Sequence, residues 1–333
     1  MMTFISCAKT MTDHSKVEVP TTGTPQFQAE AIQHALGMSR FSAEELERLL
    51  RVNSKIAAEN YLRFQDFCSE ANKALPALLA YTGIVFKRIC PQDFTAEDFQ
   101  YVQDHLRITS FLYGLLRPLD LIKNYRLEGD VRLPEHEGIS MFDYWKPILT
   151  DEFIKSIKAQ GGTLVNLASN EMKDLFDWKR IEQQVRVITP EFQVWKKGKL
   201  TTVVIYTKMC RGEMARYIIK NRIEKPEELK ASTGKDSALM QNTALNRSTF
   251  LAFFHKKILN IQAAQTFFQR SCYLVEIGKI YLNNNLTNRN EYEKINVCTG
   301  NCQYQFCNVR AAEQQITKCY RQRKRRCYGG SGR

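Results

Sequence analysis

The chain has 333 residues, 44% of them apolar and 25% charged, which is ordinary for a globular protein and enough for a sizeable core in one or two domains. Its net charge of +13 invites a nucleic-acid reading, but residues 1–231 hold 32 Lys+Arg against 30 Asp+Glu while residues 232–333 hold 16 against 5. The opening lacks a signal peptide, and the longest apolar stretch, PALLAYTGIVF, is too short and interrupted to span a bilayer. Both point to the cytosol and to reduced thiols.

In chain order, residues 2–6 read as a short buried strand and 11–25 as a loop rich in Thr and Pro. FSAEELERLL pairs Ser42 with Glu45, a capping box, and apolar residues then recur at helical spacing, predicting helices over roughly 42–68. FTAEDFQYVQDHL repeats that grammar with Thr95 as N-cap. MFDYWKPILTDEFIKSIKAQGG predicts a helix, broken or started near Pro147 and closed by Gly161-Gly162. TLVNLAS is a buried strand ending in a polar cluster. VRVITPEFQVWKKGKLTTVVIYTK reads as strand, hairpin around Gly198, strand. KMCRGEMARYIIKNRI predicts a helix over 208–222, and KPEELK a last helical turn. Strands and helices without regular βαβ alternation give an α+β class, a mixed sheet surrounded by helices.

After Lys230 the grammar changes. Apolar segments are separated by NNNLTNRN and NCQYQFCNVR, and caps and consistent periodicity fade. A boundary falls near 231–234, dividing a domain at 1–231 from a weakly structured, basic, Cys-containing extension at 232–333. Cys298, Cys302, Cys307 and Cys319 lack the close pairs of a zinc site, and RQRKRR at 321–326 is a basic run that binds nucleic acid by charge alone.

The motifs FISCAKT, LLRPLDLIKNYRLEGDVRL, NLASNE, YTKMCRG and ARYIIKNRI, in this order over residues 1–230, resemble the YaaA peroxide stress protein family. The resemblance implies an α+β fold with a helix-hairpin-helix-like element and a basic cleft. It also implies duplex DNA binding, a response to hydroperoxide and limitation of free intracellular iron, with no cofactor and no established catalytic reaction. The chain departs from the family where Ser6-Cys7-Ala8-Lys9 replaces a Ser-Pro-Ala-Lys pattern, and in YTKMCRG. Family members also end soon after the KPEEL helix with a final strand. A shifted reading frame near residue 231 produces such an extension, and tail peptides in the mass spectrum of the native protein would rule that origin out. Loss of the final strand would leave an open sheet edge.

Ser6 and Lys9 have the Ser-x-x-Lys spacing of an acyl-enzyme dyad, but they follow a strand and neither companion triplet occurs. A phosphate or cleft contact by Lys9 fits better. On helix 208–222, Cys210, Met214, Tyr217 and Ile218 form an apolar stripe, and Lys208, Arg211, Arg216, Lys220 and Arg222 fill the remaining arc. Lys208 and Arg211 at a helix start favour an anion between them. Arg117, Asp120, Tyr125, Arg126, Glu128 and Arg132 read either as an ion-pair network or as a cleft wall in which Asp120 and Glu128 orient Arg117 and Arg126. Asn166, Ser169, Asn170 and Glu171 end a buried strand, where ligand crevices form, or cap the next helix. The helix-hairpin-helix reading falls on 46–63, around Val52-Asn53-Ser54. With no glycine there, only Asn53 readily takes a positive φ. Cys7 beside Lys9 is a candidate low-pKa, peroxide-reactive thiol.

The expected phosphate ligands are therefore Lys9, Arg117, Arg126, Lys208, Arg211 and Arg216. Ser6, Asp120, Tyr125, Glu128, Asn166, Ser169 and Glu171 support them. No metal site is expected, and the partner is double-stranded DNA bound mostly without regard to sequence. The rival class is an enzyme on a phosphorylated or nucleic-acid substrate, with Asp120, Glu128 or Glu171 as acid or base.

Overall fold

The computed structural model describes residues 1–196, 199–231, 237–241, 250–254, 295–299 and 302–306. Residues 1–262 form one compact unit and 263–333 another. The first opens with β1 (Met2–Ile5), α1 (Gln28–Met38), α2 (Ala43–Leu50), α3 (Ser54–Gln65), β2 (Leu75–Pro76), α4 (Ala77–Ala80) and α5 (Ile84–Ile89). It continues with α6 (Ala96–His105), β3 (Leu106–Ser110), β4 (Gly114–Leu116), β5 (Leu121–Ile122), α7 (Met141–Ala159), β6 (Thr163–Asn166), α8 (Trp178–Gln184) and β7 (Arg186–Ile188). Then follow β8 (Glu191–Lys196), β9 (Lys199–Thr201), α9 (Val204–Asn221), β10 (Ser237–Gln241) and β11 (Phe250–Phe254). In the second unit β12 (Ile295–Thr299) and β13 (Cys302–Phe306) form an antiparallel pair.

The central sheet is mixed, in the order β4-β3-β1-β6-β7. β1 runs parallel to β3 on one side and β6 on the other, while β4 is antiparallel. All four residues of β1 are buried, Thr3 with its three apolar neighbours, as expected of a strand covered on both faces. α6 packs against β1, and α7 against β4 and β6. A second sheet, β10-β11-β8-β9, places β8 between β9 and β11 of the extension, so β8 is not an open edge. Among the described residues no helix is long and apolar enough to cross a membrane.

Both capping boxes form, Ser42 with Glu45 and Thr95 with Asp98. Three local expectations are corrected. Helix α7 runs unbroken through Pro147 from its Ser140 cap, because fully buried Trp145, Leu149 and Phe153 on either side of the proline anchor one continuous face. In the α2–α3 turn the left-handed residue is Arg51 (φ 52, ψ 49), the C-cap of α2, whereas Asn53 is extended and caps α3 by accepting from the Ile56 amide. The run Val203–Tyr206, expected to be strand, largely opens α9: the strand stops at Thr201 and the helix starts at Val204. Burial of Met209, Cys210, Met214 and Ile218 against the core outweighs β-branched propensity there. Gly198, the expected hairpin tip, lies outside the described residues, as do most of the extension and its basic run.

Candidate nucleic-acid interface

Because β1, β3 and β6 are parallel and in register, Ser6 and Leu167 leave the sheet at the end where Thr109 and Ser110 close β3, the end at which α/β sheets bind ligands. The loops there are tied by hydroxyls. The Ser169 amide donates to Ser6 Oγ at 2.9 Å, and the two hydroxyls lie 3.2 Å apart. The Cys7 amide donates to Thr109 Oγ1 at 3.0 Å. Beneath them the Tyr125 hydroxyl lies 2.7 Å from both Tyr81 OH and Ser110 Oγ. Burial holds both phenols well above the usual tyrosine range, so they stay protonated. Asn166 turns its carbonyl back to the Ala168 amide at 3.1 Å, and Glu171 is exposed at the rim.

This network changes the chemistry expected of the loop. Burial, with help from the carboxylates of Glu128 and Glu171, pushes the Cys7 thiol up to about 12. A thiol that stays protonated at neutral pH is a poor peroxide nucleophile, which corrects the reading of Cys7 as a reactive thiol. Ser6 is engaged with Ser169, and Lys9 Nζ pairs with Glu128 at 3.0 Å, so the two are not assembled as a nucleophilic dyad.

Glu128 is shared. Its other oxygen receives Arg126 Nε at 2.8 Å, and Arg126 Nη1 donates to the Lys9 carbonyl at 3.3 Å. With side chains only 16% and 14% exposed, Arg126 and Glu128 fix the loop, while Lys9, 68% exposed, presents its ammonium to solvent. Helix α5 links this loop to α9. A Cβ on Gly83, which caps α5, would meet Ala8 Cβ at 2.7 Å, and one on Gly212 would meet Arg88 Cβ at 2.6 Å. Gly212→Val is therefore expected to force the helices apart and cost about 2 kcal/mol of stability, read as a lowered midpoint in urea.

On α9, Lys208 is exposed. Arg211, beside Gly212, is half-buried and has no hydrogen-bond or ion-pair partner among the described residues. Burial lowers its pKa, and the adjacent Cys210 opposes this. Arg216, by contrast, is clasped. It donates to Asp93 at 2.8 and 2.6 Å and to the carbonyls of Ile89 and Cys90. These bonds hold its guanidinium in place across the α9–α5 junction. Arg117 lies apart from Lys9 and Arg126. It donates from its backbone to buried Asp120 at 2.8 Å and from Nε at 3.2 Å, beside Gly23 and Gln103. Burial raises the Asp120 carboxyl, and Arg117 opposes that rise.

The structure thus gathers Ser6, Lys9, Tyr125, Arg126, Glu128, Asn166, Ser169 and Glu171 at the strand ends, with Lys208 and Arg211 reached through α5. Arg117 with Asp120, and Arg216, sit elsewhere. Sequence reasoning missed Tyr81, Thr109 and Ser110, which tie the loops from beneath; no spacing announces these ties, since Tyr125 and Cys7 lie 15 to 102 residues from them. Among the described residues no group of three or more His, Cys, Asp or Glu side chains is arranged to hold a metal.

A family model described as peroxide stress protein YaaA matches residues 1–240. A UPF0246 protein of Phocaeicola vulgatus is 81% identical over 230 residues, covering 69% of this chain and 90% of that protein. UPF0246 proteins of Bacteroides fragilis and Porphyromonas gingivalis are 69% and 46% identical, each over 69% of this chain and 90% of their own length. With the mixed sheet, the strand-end loop and these matches agreeing over residues 1–230, the chain belongs to the YaaA (UPF0246) family of peroxide stress proteins.

Proposed function

We propose that the protein acts in the cytoplasm during peroxide stress by binding duplex DNA, so that less of it is open to oxidative damage, and by helping to limit free iron. Lys9, Lys208 and Arg211 contact phosphates, and Arg126 and Glu128 hold the Lys9 loop in place. Arg117 and Arg216, ion-paired like Lys9 but less exposed than it, are secondary ligands. The α2–α3 turn, with Lys55 in the first turn of α3, is the helix-hairpin-helix-like second contact. The observation that carries this reading is Arg211, a half-buried guanidinium with no partner among the described residues, beside exposed Lys208. Such a group is stabilised when an anion arrives.

The test is fluorescence anisotropy of a labelled duplex with the full chain, titrated in salt. Lys208→Ala with Arg211→Ala is expected to weaken binding by about tenfold or more and to lower the log–log salt slope by about 2, as loss of two phosphate contacts requires. A second variant, with Arg321, Arg323, Lys324, Arg325 and Arg326 changed to Gln, separates the extension. If that variant alone loses binding, the affinity belongs to the basic run and the reading fails.

A further inference from the structure

We infer that the start of α9 is an apolar wedge that enters a base step of duplex DNA and kinks it, an inference that rests on the DNA-binding reading above. Among the described residues six large apolar side chains are more than a third exposed. Three of them, Leu200 (37%), Val204 (68%) and Ile205 (49%), fall within six consecutive positions. They are not the core face of the helix, because Met209, Cys210, Met214 and Ile218 supply that. A concentration of exposed aliphatic surface on an otherwise well-buried chain marks a contact with another molecule.

The local sequence says which kind. From Phe192 to Gly212 the sequence holds Lys196, Lys197, Lys199, Lys208 and Arg211 and not one Asp or Glu, within a body whose charges nearly balance. This combination complements a polyanion. The first turn of α9 also carries no acidic residue, so no fixed negative charge at the helix start opposes an anion.

Helical spacing puts the two features on one face. Val204, Lys208 and Arg211 stand at i, i+4 and i+7, so the wedge leads and the two cations follow along the same stripe. At 1.5 Å per residue they span about 10 Å, close to three base-pair steps of duplex. Proteins that pry open a base step use this arrangement: an aliphatic side chain unstacks the bases while neighbouring Lys and Arg hold the flanking phosphates. The substrate class follows from the energetics. Unstacking is easiest at TA and CA/TG steps and at already weakened positions, so the preferred ligand is deformable duplex, including nicked or mismatched DNA, rather than stiff A-tracts.

The experiment uses the full chain and a short duplex carrying a donor and an acceptor dye at its ends and 2-aminopurine at a central TA step. The wild type is expected to shorten the end-to-end distance and to raise 2-aminopurine fluorescence. Val204→Ser with Ile205→Ser should abolish both signals while affinity changes by no more than about threefold and the salt slope is kept, because the phosphate contacts remain. Val204→Ala with Ile205→Ala, which preserves helix propensity, should behave the same way, and circular dichroism verifies that both variants fold. Binding by the wild type without bending or unstacking overturns the wedge and leaves the DNA reading standing. No binding to the duplex at low salt overturns both. Association with phosphatidylserine vesicles through Val204 and Ile205, in the absence of DNA binding, overturns the wedge in favour of a lipid surface.

Discussion

Asp98→Ala is expected to lower the stability of the chain by about 3 kcal/mol, measured as the unfolding free energy in urea at pH 7. One carboxylate, 6% exposed, does three jobs. Its Oδ2 accepts from the Thr95 amide at 3.1 Å and from Lys220 Nζ at 2.7 Å, and its Oδ1 accepts from Arg222 Nη2 at 2.8 Å. Burial alone would raise this carboxyl, yet Lys220, the helix cap and Arg222 together hold it below the usual aspartate range. Removing it breaks the carboxylate half of the α6 capping box, worth about 1 kcal/mol or less because Thr95 still caps the residue-98 amide, and leaves Lys220 and Arg222 with only backbone carbonyls as acceptors at the C-terminal end of α9. Those cations are 31% and 36% exposed and stay partly hydrated, which places the loss at the low end of the range for broken buried pairs. Asp93→Ala, which removes a carboxylate 55% exposed, should cost about 1 kcal/mol or less. An Asp98→Ala variant as stable as Asp93→Ala would show that the junction of α6 and α9 is held by packing alone.

The second large effect is acid sensitivity centred on His34. The ring is fully buried, its Nδ1 donates to the Leu112 carbonyl at 3.2 Å, and it meets His136, Tyr144 and Trp145 edge to face at 4.8, 4.9 and 5.3 Å. A carbonyl only accepts, so Nδ1 carries the proton and Nε2 is a bare lone pair, buried without a partner among the described residues. Burial pushes the His34 pKa down to about 4, with His136 adding to the effect. The folded value lies below the unfolded one, so the fold favours the neutral ring. That stabilisation is complete above about pH 6.5 and is lost as pH falls from there towards 4. The window corresponds to about 3 kcal/mol. His136 and His105 are shifted the same way by burial and steepen the slope. His34→Asn, whose amide sits where Nδ1 does, keeps a donor for Leu112 and removes the titration, so its stability should fall less between pH 6.5 and 4.5 than that of the wild type. Parallel profiles would mean that another group carries the acid response. The Asp98 carboxyl, held below its ordinary range, acts at still lower pH and does not blur the comparison.

What was legible in the sequence is what is decided locally. Ser42 with Glu45 and Thr95 with Asp98 cap helices through residues three positions apart, and apolar runs at 2–5 and 163–166 are strands because both faces are covered. The start of α9 was misread because Val203, Val204 and Ile205 favour strands, and only packing of the later turns against α5 makes the segment helical. Proximity was harder still. Arg117 and Arg126 are nine positions apart and look like one wall, but Arg117 follows β4 at the far side of the antiparallel pair, whereas Tyr125 and Arg126 have returned to the strand ends. Likewise Arg216 looked like a free member of a basic arc, although Asp93, 123 residues earlier, claims it. Charge patterning identifies candidates, and the fold decides which are already occupied.

The position of β1 has a consequence for how the molecule is made. It leaves the ribosome before β3 and β6, yet it belongs between them in the sheet, with Thr3 opposite Leu106 on one side and Val165 on the other. Neither neighbour exists until a hundred or more residues later, so the four residues Met2 to Ile5, three of them apolar, must wait unpaired through most of synthesis. Such long-range pairing slows folding and lengthens the exposure of sticky surface. Nascent chains halted before β6 should therefore occupy chaperones through their N-termini, and release should follow the arrival of Thr163–Asn166 rather than the completion of any one helix.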